Sequence, residues 1–398
     1  MPESEILNHS DLFSEILHEK MKLINPGIAD LELYEFRYGL ENLNPAGGWS
    51  SVKLDRMGEI EKRLKTPDFY ETVQIKPRVD GKIELDRNIV KLTQMLFAGL
   101  VMEVYDLDWV RLHFYFDVRG FYFLIRTMYL TKDVLAHFGS RPYQSFEPKQ
   151  NQFDLHQAVG YPEFQAANAE VDQLFINCVI KLITEKGSPI ILAIAGQTAA
   201  GKTEIVARLH EAFVNAGRKT TSIEMDNFLT DRDDREAKGI DSLGPKAIHF
   251  DIFKRSLEDI VRGKKISIPR YDFISGDSSH NLDGSLKPGS LPIEIEPADI
   301  IFIEGNFPFL IKETNHLIGI KVVYLTDDPI RMKRKWKRDM DYRKKYDLNY
   351  FRNRFFKDQF LMAQQCYLPQ MLVCDLLVDT TGARLWATPE ISEILGTA

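Results

Sequence analysis

The sequence predicts an α/β protein, with a three-layer α/β/α unit on a parallel sheet in its carboxyl part and a smaller α+β unit before it. Three observations lead there. At 398 residues the chain exceeds one ordinary domain of ~100 to 200 residues. Its later apolar runs alternate with helical periodicities and are apolar on both faces, as strands are when helices cover both sides of a parallel sheet. Between the two patterns lies "SRPYQSFEPKQNQFDLHQAVGYPEF", Ser140 to Phe164, polar and interrupted by Pro142, Pro148 and Pro162. The expected division is therefore 1–164 and 165–398.

In the first unit, "LDRNIVKLTQMLFAGLVMEV" has the apolar spacing of a helix, and "VRLHFYFDVRG" alternates from Val110 to Val118 as a half-buried strand does. The aromatics of "RGFYFLIRTMYL" read as core. In the second unit the pattern predicts a helix from Glu163 to Glu185 and a strand from Ile190 to Ala195, with later strands in "TTSIEM", "ADIIFIEG", "IKVVYLT" and "DLLVDTT".

Composition narrows the class. Hydrophobic residues make up 44% and charged residues 27%, as in a globular chain rather than a disordered one. A net charge of -7 gives no global attraction to nucleic acid or acidic membranes. The start "MPESEILNHSDLF" lacks the basic residues and apolar run of a secretion signal, and no apolar stretch approaches the ~18 residues of a membrane span. The expectation is a cytoplasmic protein with no membrane partner. Cys178, Cys366 and Cys374 have no metal-type spacing and read as small buried apolar residues.

Gly196, Gln197, Thr198, Ala199, Ala200, Gly201, Lys202 and Thr203 match the phosphate-binding pattern G-x-x-x-x-G-K-[ST] in full, between an apolar strand and the helical "TEIVARLHEAF". Glycines at 196 and 201 let successive N–H groups converge, and the helix start adds its positive end to that anion site. This is the signature of a P-loop NTPase sheet. Lys202 is expected at the β and γ phosphates and the Thr203 hydroxyl on Mg²⁺.

A magnesium-nucleotide site also needs a carboxylate near the metal. Glu304 follows four apolar residues at a strand's carboxyl end, where burial is costly unless the acid is paired or metal-linked. Asp226, after the second strand, faces the same edge and is expected to orient an acceptor hydroxyl and take its proton, close to the metal. In "DDPIRMKRKWKRDMDYRKK", Arg331, Arg334 and Arg338 share one helix face, while Met332, Trp336 and Met340 share another. The arginine row is expected to reach phosphate, with Arg331 among the substrate contacts, while the other face packs.

Together these segments resemble the uridine kinase and phosphoribulokinase family of P-loop kinases, over roughly Pro189 to Gly382. The order of "IAGQTAAGKT", "MDNF", "IPRYDF", "IIFIEG", the arginine row ending at Asp339, and "CYLPQMLVCDLLVD" carries the likeness. The resemblance implies ATP as donor, Mg²⁺ as cofactor and a small-molecule alcohol as acceptor. It assigns acid-base catalysis to Asp226, metal-proximal places to Thr203 and Glu304, a mobile lid to Arg334 and Arg338, and a wall of the acceptor pocket to Tyr271.

Two departures concern the acceptor. Leu243 and Gly244 stand where uridine kinases carry an Asp-His pair, and "ISGDSSH" replaces their short His/Ser/Arg run. A ribose diol and a pyrimidine each lose polar partners there. The acidic run Asp231, Asp233 and Asp234 either favours a polyhydroxylated or cationic acceptor or is a solvated loop. Rival readings are a GTP-hydrolysing switch, whose guanine-reading N-K-x-D is absent, and a non-catalytic nucleotide-sensing or nucleic-acid-binding module. Homo-oligomerisation stays open, and no residue of the first unit chooses among shaping the acceptor pocket, dimerising and binding a regulator.

Overall fold

A computed structural model of the chain describes residues 3–73, 76–77, 83–84, 86–118, 120–125, 129–149, 160–240, 244–341 and 355–396. In the amino-terminal unit, α1 (Ser10–Ile24), α2 (Leu33–Glu41), α3 (Pro67–Thr72), α4 (Arg87–Val101) and α5 (Leu107–His113) surround the antiparallel pair β1 (Phe114–Asp117) and β2 (Tyr122–Ile125). The expected long strand from Val110 is shorter than predicted. Asp106 accepts hydrogen bonds from the backbone of Asp108 and Trp109, and this cap turns Val110–His113 into the end of a helix. Phe121 and Phe123 of the aromatic run lie in the core, as expected, edge to face with Phe116.

The rest of the chain follows the predicted alternation closely. It contains β3 (Gln144–Ser145), α6 (Tyr161–Lys186), β4 (Ile190–Ala195), α7 (Lys202–Asn215), β5 (Thr220–Glu224), α8 (Phe250–Val261), β6 (Ile300–Gly305), β7 (Ile318–Leu325), α9 (Asp328–Asp341), α10 (Phe355–Met362), β8 (Leu376–Asp379), β9 (Arg384–Ala387) and α11 (Pro389–Leu395). Among the described residues, one sheet has the order β3-β9-β8-β7-β4-β6-β5. Neighbours from β8 through β5 are parallel, and β9 and β3 extend that sheet antiparallel.

Helices cover both faces, which is why β4 and β6 are buried at every position. One face packs Val171, Phe175, Leu209 and Phe213 from α6 and α7, and the other packs Phe253 and Leu257 from α8. The three cysteines are buried, as expected. No described helix is long and apolar enough to cross a membrane.

Residues before the expected boundary already join the sheet's core. The 164/165 peptide lies inside α6. Tyr129, Val134 and Phe138 already pack in the sheet's core, and Tyr143 and Phe146 donate their backbone N–H groups to Leu385 and Ala383 beside β3. The stretch read as a connection thus supplies an edge strand, too short for its periodicity to show. Ile303 sits fully buried in the middle of β6. Ile303→Ala should lower stability by ~2–5 kcal/mol, read from urea unfolding.

Candidate active site

Strand β4 delivers the glycine-rich loop. A Cβ at Gly196 would lie 2.5 Å from the Tyr324 carbonyl oxygen, so only glycine lets the chain turn beneath β7. Gly201, at φ +107°, takes the left-handed conformation that starts α7. Five successive carbonyls of the loop, Gly196 through Ala200, accept hydrogen bonds from side chains. Lys202 Nζ donates to Gly196 and Gln197 at 3.0 Å, Arg331 to Thr198 at 3.1 Å, Arg334 to Ala199 at 2.9 Å, and Thr326 to Ala200 at 3.0 Å. With the carbonyls engaged, and with Gly196 and Ala200 donating their amides to Gly305 and Gln197, the other loop amides and the amino end of α7 are left for an anion. The Gln197 side chain is fully buried, and its amide has no hydrogen-bond partner among the described residues.

The acids come from the strands beside β4. Glu304 on β6 is the register partner of Glu224 on β5, so the two carboxylates project on one face of the sheet's carboxyl edge. Thr203 Oγ1 lies 2.9 and 3.0 Å from the two Glu304 oxygens and donates to that carboxylate. Burial pushes the Glu304 carboxyl up to about 7, against the pull of Lys202 and Thr203, and the charges of Glu224 and Asp226 add to the rise. Burial lowers the Lys202 ammonium from its ordinary value, while Glu304 and Asp226 pull it back. Asp226 stands in a short 3₁₀ turn, Met225–Phe228, directly after β5.

Lys202, Thr203, Asp226 and Glu304 line one cavity of about 580 Å³, together with Arg334 and Arg338. The arginine row does share a face of α9, and all three guanidinium groups reach the loop. Arg338 donates to the Thr198 hydroxyl at 3.1 Å, while Arg334 also pairs with Glu204 at 3.1 Å and stacks 3.7 Å above the Phe164 ring.

Two expectations are corrected. Arg331 is fully buried, ion-paired with Asp328 and hydrogen-bonded to Thr326, Thr198 and Gln359, so it braces the loop from behind and does not line the cavity. Tyr271 is likewise buried, its hydroxyl accepting from Arg235 at 2.9 Å, and Phe273, packed against its ring, lines the cavity instead. In the acidic run, Asp231 is occupied by Lys287 at 2.7 Å and by the Ser278 backbone.

Sequence reasoning missed Tyr161, Glu224, Phe273, Asn306 and Lys337, all of which line the cavity. Glu224 had a signal, since it ends a predicted strand beside that of Glu304, at the same carboxyl edge. Asn306 had none. Its Oδ1 accepts from the buried Tyr367 hydroxyl at 2.9 Å, a contact across 61 positions of chain.

Among the described residues, no three His, Cys, Asp or Glu side chains converge as a metal cage. The donors present are the oxygens of Thr203, Glu304 and Asp226. Such a hard, partial set fits Mg²⁺, which keeps water and phosphate oxygens in its shell.

A loop of this build facing acid oxygens across one cavity defines the class: a P-loop phosphotransferase. The chain belongs to the phosphoribulokinase / uridine kinase family, whose model matches residues 191–385. The uridine kinase of Brevibacillus brevis is 30% identical over 162 residues, 39% of this chain and 69% of that protein. The uridine kinase of Lactobacillus helveticus is 27% identical over 197 residues, 49% of this chain and 88% of that one. The solved D-glycerate 3-kinase of Cryptococcus neoformans overlays with a TM-score of 0.39 at 10% identity, over 54% of this chain and 98% of its own. The protein is an ATP-dependent phosphotransferase acting on a hydroxyl.

The Glu304 value lies above the ordinary 4.5, so between pH 4.5 and about 7 the folded chain holds a proton that the unfolded chain has released. Its contribution to stability is present below that window and is lost as pH rises through it. Thermal unfolding of the nucleotide-free protein across pH 4.5 to 8 should show this decline, and Glu304→Gln should flatten it.

Proposed function

We propose that the protein transfers the γ-phosphoryl group of ATP to a hydroxyl of a small polyol or related metabolite, with Asp226 as the base. The observation that carries this is the shared cavity, where Asp226, Lys202 and the Thr203–Glu304 pair meet. Asp226 orients the acceptor hydroxyl in line with the γ-phosphate and accepts its proton. Lys202 has a third N–H for phosphate oxygens beside the two it gives to loop carbonyls. Arg334 and Arg338, already at the loop, neutralise the charge that grows on the phosphoryl group. Thr203 and Glu304 would hold Mg²⁺, with Asp226 near it, and the ion would supply charge neutralisation at the phosphates.

Phe273 and Asn306 form the acceptor side of the cavity. Of the two positions where uridine kinases carry the Asp-His pair, Leu243 lies outside the described residues, and Gly244 offers no side chain. The carboxylates of Glu224 and Asp226 favour an acceptor without negative charge of its own. Uridine, named for the relatives, is the first compound to compare with simple sugars and polyols.

Asp226→Asn should lower kcat by roughly 10² to 10⁴ while ATP affinity holds. The measurement is mass-spectrometric detection of singly phosphorylated products from a metabolite library with Mg-ATP. Undiminished turnover of an accepted alcohol by the variant would remove Asp226 from the mechanism.

A further inference from the structure

Helix α9 has two working faces. Arg334 and Arg338 on one face reach the phosphate loop. Met332 and Trp336 precede them by two positions each, and two positions at ~100° per residue carry a side chain to roughly the opposite side of a helix. Met332 is 1% exposed and belongs to the amino-terminal core with Phe13, Phe97 and Phe123. Trp336 packs half-buried against that same core. The following helix repeats the pattern: Phe360, 5% exposed, joins the amino-terminal cluster, Leu361 packs on it, and α10 contacts α3.

Burial does most to lower the Arg334 guanidinium, Glu204 pulls it back, and Arg338 adds a smaller lowering push. Arg334 is ion-paired with Glu204 on the loop side, and the apolar partners of the helix lie on its other side. An apolar seat on the far side of α9 is not displaced by nucleotide and keeps the row in place throughout.

We propose that the amino-terminal unit is the positioning element for the arginine row: Met332 and Trp336 anchor α9 in its core and so hold Arg334 and Arg338 over the phosphate loop. Both arginines keep the phosphoryl-contact role given above, on which this rests. Met332 and Trp336 are positioning residues and touch no substrate.

The test is titration calorimetry of the full chain with ATP and with ADP, each with Mg²⁺. Arg338→Ala serves as the reference, since loss of one charged hydrogen bond to the terminal phosphate should weaken ATP about tenfold and ADP far less. Trp336→Ala should reproduce that selective loss, and Trp336→Phe should restore the wild-type preference. Met332→Ala, a smaller truncation, should show the same selectivity and serves alone should Trp336→Ala not fold. If Trp336→Ala and Met332→Ala keep the ATP preference that Arg338→Ala loses, the anchoring is overturned. Equal weakening of both nucleotides overturns it too, because it marks general loosening of the fold. An unchanged preference in Arg338→Ala instead removes the phosphoryl-contact reading, and the anchoring falls with it.

Discussion

The site depends on how the carbonyls of one loop are disposed. A stretch of backbone can offer converging N–H groups to an anion only if its oxygens are satisfied elsewhere. Here five in succession are held by Lys202, Arg331, Arg334 and Thr326. The first turn of that arrangement is possible because Gly196 passes beneath the Tyr324 carbonyl, where no side chain fits. Strand β7 therefore sets the loop's path from above, and the arginine helix that follows β7 fastens it from the side. Sheet, loop and arginine helix are one mechanical unit.

That unit extends into the amino-terminal part through α9. A helix that presents cations to the loop and apolar side chains to another core transmits displacement at either end, since packed interiors resist compression. Arg331 shows the division of labour along the row. Its end of the helix is fully buried and ion-paired, whereas Arg338, two turns on, is a third exposed in the open cavity. The row is graded from buried bracket to cavity wall.

What the sequence made legible follows from the range of each interaction. The loop pattern, the strand Ile190–Ala195 and the helix before it rest on local chemistry and neighbouring periodicity, and they fold where expected. Glu304 could be placed because an acid after four apolar residues is anomalous by itself. Less legible were features set by partners distant in the chain. Arg331 and Arg338 look alike in sequence, and only the buried Asp328 and Gln359 beside Arg331 separate them. Tyr271 was expected on the acceptor wall, but Arg235 holds its hydroxyl one layer behind Phe273. At Asp106 a strand pattern lost to a helix cap, a side-chain effect that hydrophobic periodicity does not register.

Charge balance ties these features to the chemistry. Four acids, Glu204, Glu224, Asp226 and Glu304, face four bases, Lys202, Arg334, Lys337 and Arg338, among the described residues of the cavity. The cavity is thus near neutral before any ligand enters, while a nucleoside triphosphate brings several negative charges. A helix amino terminus and, on the proposed reading, an accompanying divalent ion are the means to offset them. Asp226 gains from the same balance. On the proposed reading its carboxylate is the group left to meet the acceptor hydroxyl. An acceptor carrying its own anionic group would disturb that balance on the side where Glu224 stands, whereas an uncharged alcohol would not.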